Sequence, residues 1–326
     1  MKLTPNSYSI FFLKIIAVLF VLYWISSRTF DQYSHQDLLI YQQEYFELSP
    51  KLIWLVLILL IMPLNWLCES KKWKLSLSHL FTLSNVHALK SVFAGVALGI
   101  FTPNRIGEFA GRLLTIPEQF RAEGLFSNAL CSLAQFITTL SFGILALLIV
   151  LPEYIPTEYH IYSQLMRGLC LILILVLLLF YYRSTLILNR VSRIKWLRKL
   201  INKPEFQINL PVSILNRVLL ISIIRYVIFG LQYIIVLDYF DLPVFTFTFI
   251  VHIAIVYLTV TIVPSLALSK LGVREGVAIL ILGNLANNDL GLISATFILW
   301  IINIAIPGII GSIVLLFESK WNSLKW

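Results

Sequence analysis

Residues 101–112 read FTPNRIGEFAGR, directly after the apolar run SVFAGVALGI (91–100). One acid, two arginines, a proline and two glycines within twelve residues compose a poor helix and are costly to place in lipid. The chain around them is 59% hydrophobic and 13% charged, with a mean hydropathy of +0.88. Soluble domains carry about a quarter charged residues. The 326 residues therefore read as one all-α, polytopic integral membrane domain, with no room for a second large one.

Runs of about twenty apolar residues predict spans at 10–27, 51–68, 128–152, 163–182, 213–236, 244–263 and 290–317, with shorter runs at 84–101 and 276–287. That makes seven to eight membrane helices. Lys2 and Lys14 precede VLFVLYWI, but no small-x-small site follows, so the first span is expected to stay uncleaved. Cys68, Cys131 and Cys170 lie in or beside apolar runs without paired spacing, which argues against a disulfide framework or a metal site. The net charge of +9 is carried by short loops beside apolar spans. It speaks for orientation and anionic headgroups, not nucleic acid.

Loop charge predicts the sides. Lys71, Lys72, Lys74 and Lys90, the acid-free basic run from Arg183 to Lys203, and Lys320 and Lys325 mark the cytoplasm. Asp31, Asp37, Glu44 and Glu47, then Glu153 and Glu158, then Asp238 and Asp241 mark the outside. Both termini of this cell-membrane protein are then cytoplasmic, and the loop 183–211 is expected to touch anionic lipid.

This orientation constrains the opening stretch. The span 51–68 enters the cytoplasm and 128–152 leaves it, so 84–127 begins and ends on one side. The expectation is a re-entrant hairpin that turns near FTPNRIGEFAGR, where protein or water must surround the non-helical backbone. The stretch 244–289 begins and ends outside, as a helix pair or a second hairpin centred on VPSLALSKLGVREG (263–276). Two such broken elements of opposite orientation are the signature of an inverted-topology repeat.

Ionisable groups within membrane segments cost about 2.5–3.5 kcal/mol on insertion scales and are functional candidates by default. They are Arg105, Glu108 and Arg112 in the first stretch, Lys270, Arg274 and Glu275 in the second, and Arg225 in the middle of 213–236. A structural reading stands beside the functional one. Glu108 and Arg112, at i and i+4, can pair on one helix, and a buried Arg–Glu network can simply lock the hairpins together. Arg217 and Arg167, near span ends, are expected to snorkel. His252 is read as a packing residue, and Pro307 with Gly308 as a kink and a close helix contact. Two arginines and a lysine suit a phosphate, because guanidinium forks grip its oxygens in pairs. The glutamates offer a counter-charge to an amine, or hold the arginines when the site is empty. No HExxH, GxSxG or nucleotide-binding loop occurs, and no pair of Asp-rich motifs of the kind that magnesium-pyrophosphate chemistry uses, so no metal or cofactor is expected and an ATP-driven pump is disfavoured.

The order Thr102-Pro103-Asn104-Arg105-Ile106-Gly107-Glu108 with Arg112, then Pro264-Ser265 through Gly272-Val273-Arg274-Glu275-Gly276, resembles the transmembrane (flippase) region of the lysylphosphatidylglycerol synthase family. That family shows TPG-G-GE--R early and PGG-G--E late, and the resemblance spans roughly 10–317. Asn104 and Arg105 stand where glycines are usual, Ser265 and Leu266 replace a Gly-Gly, and Lys270 lies among extra residues. A changed headgroup preference is therefore expected. The resemblance implies the membrane module alone, without the soluble synthase domain, translocating a phospholipid or related amphiphile through a polar midplane cavity. The implied substrate-binding residues are Thr102, Pro103, Arg105, Glu108, Arg112, Arg225, Pro264, Lys270, Arg274 and Glu275. Glu108, Arg112, Arg274 and Glu275 are expected to converge in one cavity. Two alternatives stay open. One is a membrane glycosyltransferase or other polyprenyl-phosphate- or lipid-modifying enzyme using Glu108 or Glu275. The other is a non-catalytic assembly partner docking through 183–203.

Overall fold

The computed structural model describes residues 23, 34–46, 52–100, 102, 105–154, 156, 160–191, 210–263 and 270–317. The expected first span, 10–27, lies outside them except for Tyr23, as do most of the basic loop and residues 264–269. Among the described residues the protein is all-helical, without strands. Among the described residues, five helices are long and apolar enough to cross a bilayer: Ile53–Leu77, Glu118–Pro152, Ile161–Tyr182, Val212–Tyr239 and Asp289–Phe317. The chain is a multi-pass membrane protein.

Helix α1 (His35–Phe46) opens on a capping box. Ser34 Oγ accepts from Asp37 N at 3.2 Å, and Asp37 Oδ2 accepts from Ser34 N at 2.8 Å, so two end donors are satisfied reciprocally. Its far end is pinned by Tyr45, whose hydroxyl donates to Asp241 Oδ2 at 2.9 Å and whose carbonyl accepts from the Tyr239 hydroxyl.

Helix α2 (Leu52–Leu77) corrects the expected end of the second span at residue 68. The polar continuation ESKKWK stays helical. Lys71 faces out, whereas Glu69 and Lys72 are buried and pair at 2.9 Å. Mutual neutralisation lets the helix carry both charges through protein, where loop charge alone predicts an exit.

Helices α3 (Asn85–Ile100) and α4 (Ile106–Leu113) form an antiparallel hairpin. At 16 and 8 residues they reach about 24 and 12 Å, short of a hydrocarbon core of about 30 Å. The opening stretch is thus divided. One helix ends at Ile100 and the next begins at Ile106, so IGEFAGRL is helix. Thr102 ties the break, its hydroxyl accepting from Gly107 N at 2.7 Å and donating to Leu98 O at 3.2 Å. Arg105 caps α4 in the left-handed region at φ 58°. The two glycines serve close approach rather than helix breaking. A Cβ at Gly107 would lie 2.2 Å from Leu98 O, and one at Gly111 2.5 Å from Ala94 O, contacts that no side chain tolerates.

A turn and a short 3-10 segment lead into α5 (Arg121–Tyr154), which starts seven residues before the expected 128. Helix α6 (His160–Tyr182) follows, with only 6% of its most apolar stretch buried within the protein and the rest available to lipid. The short α7 (Ser184–Val191) is the last helix described before residue 210. In the second half, α8 (Val212–Tyr239) is followed by α9 (Phe247–Ile262) and α10 (Lys270–Ala286), which pack on one another. Helix α9 has 16 residues, where the sequence predicted a full span over 244–263.

The final crossing consists of α11 (Asp289–Trp300), a π-helical turn (Ile301–Ala305) and α12 (Ile306–Phe317). Pro307 has no N–H to offer the carbonyl four residues back, that of Asn303, which accounts for the widened turn before it. Helix α2 packs on α8, α3 on α12, and α9 on α5. The main apolar core lies between them, around Trp66, Trp73, Val92, Tyr233, Val236 and Leu299.

Candidate functional site

Asn65, Glu69 and Lys72 recur at i, i+4 and i+7 and so share one face of α2. Helix α4 presents Arg105, Glu108 and Arg112 to the same place, and α8 adds Arg225. Glu69 is the centre. Its Oε2 lies 2.9 Å from Lys72 Nζ and 3.2 Å from Arg225 Nη1, and its Oε1 lies 2.9 Å from Arg112 Nη2. Glu108 closes the circuit, its Oε1 2.6 Å from Arg112 Nη2 and its Oε2 3.2 Å from Arg105 Nη2.

The cluster is graded in depth. Lys72 and Arg112 are 0% and 1% exposed, whereas Arg225, Glu108 and Arg105 are 13%, 20% and 29% exposed. Arg112 stacks over Trp73 at 5.7 Å, and Arg225 lies against Trp66 and Phe229 at 5.8 and 5.1 Å. Such rings stabilise desolvated cations. Arg112 Nε and Nη1 are buried without a hydrogen-bond partner among the described residues.

Beside the cluster opens a cavity of about 610 Å³ whose lining includes the charged and polar Glu69, Lys72, Arg105, Glu108, Gln135 and Arg225. Phe109, Leu133 and Phe136 add apolar surface to it, and Phe136 is itself 41% exposed on the protein surface. The volume falls within the range of small-molecule sites. Gln135 Oε1 accepts from both Lys72 Nζ and Arg225 Nη1 at 3.3 Å, which ties α5 to the cations.

A polar thread leaves the cluster through buried Asn65. Arg225 Nε donates to Asn65 Oδ1 at 2.7 Å, and Asn65 Nδ2 donates to Asn303 Oδ1 at 3.3 Å. Asn303 Nδ2 donates to Gln232 Oε1 at 2.8 Å, and Gln232 Nε2 to Ile58 O at 3.0 Å. Asn303 sits on the π-helical turn and also lines a second, enclosed cavity of about 40 Å³ with Tyr233, Tyr257 and Arg274.

The expected convergence is therefore divided. Glu108, Arg112, Arg105 and Arg225 come together, with Thr102 in the adjoining break. Arg274 lines the second cavity instead. Glu275 is buried and turned onto its own helix start, its Oε2 accepting from Gly272 N at 2.5 Å. The reason is register. Arg274 and Glu275 are adjacent and point apart, and the positive φ of Gly272, 86°, brings its N–H to the carboxylate. Pro103 and Pro264 lie outside the described residues, as does the Lys270 side chain. His252 packs as read, buried with Nδ1 2.7 Å from Thr248 O. Sequence reasoning does not single out Glu69, Asn65 and Gln135, because Glu69 falls just past the expected span 51–68 and the amides carry no charge. The i, i+4, i+7 run Asn65, Glu69, Lys72 was the signal available.

The lysylphosphatidylglycerol synthase TM region is the family that matches, over residues 11–311 of the chain. No curated protein matches it.

Proposed function

The chain belongs to the family of lysylphosphatidylglycerol synthase TM regions, which supports a lipid-related role in the membrane, and from that premise we propose that it translocates an amphiphilic lipid between leaflets. The observation that carries this reading is the 610 Å³ cavity lined both by the charged cluster and by apolar Phe109, Leu133 and Phe136. A polar headgroup entering it meets hydrogen-bonding partners, while its tails remain against apolar side chains and lipid.

The α3–α4 hairpin is the re-entrant element of this scheme, since neither helix reaches across a bilayer. The α9–α10 pair is its inverted counterpart. The packing supports that assignment. Exchanging α2 with α8, α3 with α9, and α5 with the α11–α12 crossing turns the contact of α3 on α12 into that of α9 on α5. Inverted halves of this kind let a site near the midplane open to either side in turn. Lys71, Lys74, Lys90 and the 183–211 loop face the cytoplasm in this arrangement and contact anionic headgroups there.

The test is reconstitution into liposomes with fluorescent phospholipids and an impermeant quencher. Transport above protein-free vesicles, lost in Glu108→Gln and Arg225→Gln, is the expected result. No transport by folded protein, or release of a chemically modified lipid, overturns the reading, the latter in favour of an enzyme.

A further inference from the structure

We propose that this cavity is a phosphate-anion site that prefers headgroups of net negative charge and rejects those of net positive charge. The proposal rests on the translocation reading only for where the ligand is held, and it names the class of ligand.

The argument begins with a charge count. Lys72, Arg105, Arg112 and Arg225 face Glu69 and Glu108, four cations against two carboxylates. Two positive charges remain unbalanced in a region bounded by protein and lipid. Uncompensated charge at low dielectric is expensive, so such a site calls for a counter-anion.

The geometry says where it goes. Lys72 is committed to Glu69, Gln135 and the Cys131 carbonyl, and Arg112, which bonds both glutamates through Nη2, does not line the cavity. The other two cations of the lining, Arg105 and Arg225, have donors to spare. Arg105 has a single ion pair among the described residues, at 3.2 Å. Arg225 uses Nε and Nη1 on Asn65, Gln135 and Glu69, which leaves Nη2 for an oxygen in the cavity. Two guanidinium forks on one cavity suit the oxygens of a phosphate, and Ser132 and Thr139 add hydroxyls to the lining.

A phosphodiester with an uncharged substituent, such as phosphatidylglycerol, supplies one of the missing negative charges. A lysyl ester of the same lipid carries two ammonium groups against one phosphate and adds to the excess. The same chemistry accepts a free phosphate, and the ligand series separates the two sources.

The experiment uses the full chain in neutral detergent, with Trp66 and Trp73 beside the arginines as fluorescent reporters. Short-chain phosphatidylglycerol, phosphatidylcholine, lysylphosphatidylglycerol, diacylglycerol and inorganic phosphate are titrated. Saturable binding of phosphatidylglycerol, at least tenfold tighter than phosphatidylcholine and weaker still for the lysyl ester, is expected. Affinity should fall at least tenfold in Arg225→Gln and in Arg105→Gln. The Arg105 variant covers the case in which loss of the deeper Arg225 unfolds the protein. Inorganic phosphate binding as tightly as the lipid keeps the anion site and makes its ligand free phosphate. Equal affinity for phosphatidylglycerol, its lysyl ester and diacylglycerol, or no change in either arginine variant, overturns the proposal. Anion-selective binding without translocation in liposomes would remove the transport reading and leave the site. Translocation without anion preference would do the reverse.

Discussion

Arg112 Nη2 lies 2.9 Å from Glu69 Oε1, an ion pair between side chains 1% and 8% exposed that joins positions 43 residues apart. The contact fastens the short helix α4 to the long helix α2. Because Glu69 also holds Lys72 and Arg225, one carboxylate organises three cations from three helices.

Glu69→Gln is expected to be the most damaging single change in the cluster. It leaves three cations without their main counter-charge, and breaking a buried pair costs about 3–5 kcal/mol. Glu108→Gln, at a more exposed carboxylate with two cation partners, should cost less. Melting curves in detergent decide this, and an equal or milder loss in Glu69→Gln would remove its central role.

The hairpin depends on backbone approach at its glycines. Gly107→Ala would set a Cβ 2.2 Å from Leu98 O, and Gly311→Ala one at 1.9 Å from Phe93 O, on the face where α12 meets α3. Each should destabilise by about 1–3 kcal/mol, the usual penalty of overpacking. Gly168→Ala on α6 meets nothing within 4 Å and serves as the neutral control in the same thermal assay.

Asn303 should matter through its neighbours. Asn303→Leu removes partners from Asn65 Nδ2 and Gln232 Oε1, both buried, and an orphaned buried polar group costs about 1–3 kcal/mol. The triple change of Asn65, Gln232 and Asn303 to Leu also strands Arg225 Nε and should be worse. A triple variant more stable than Asn303→Leu would show that the thread does not anchor the arginine.

Helix α1 has a pH-dependent start. The Ser34 hydroxyl and backbone N–H donate to Asp37 and hold its carboxyl below the usual value. A lowered acid stabilises above its unfolded pKa and loses that contribution as pH falls through the folded one. Hydrogen-exchange protection of the first turn of α1, corrected for intrinsic rates, should therefore decline across the acidic carboxylate range, and Ser34→Ala, which keeps only the backbone N–H bond to Asp37, should weaken that dependence.

Much of the fold was legible in the chain. The spans near 128–152, 163–182, 213–236 and 290–317 and the hairpin after residue 84 all correspond to helices. Element ends were less legible wherever charge was neutralised internally. Lys71 and Lys72 are neighbours in sequence, yet one faces out and the other is fully buried against Glu69. Local composition cannot distinguish them, because the difference lies in a helical rotation of about 100° and in the partners that α5 supplies to Lys72, the Cys131 carbonyl and Gln135.

Apolar run length and the cost of unpaired backbone in lipid determined from sequence alone that this is a helical membrane protein with an interrupted element around FTPNRIGEFAGR. Those quantities are local, and a bilayer sets their scale. Tertiary structure alone decided which charges meet. It brought Arg105, Glu108 and Arg112 onto Glu69 and Arg225 and kept Arg274 apart in its own small cavity. Ion pairing acts over a few ångströms, between helices that the chain separates by as many as 156 residues, the interval from Glu69 to Arg225.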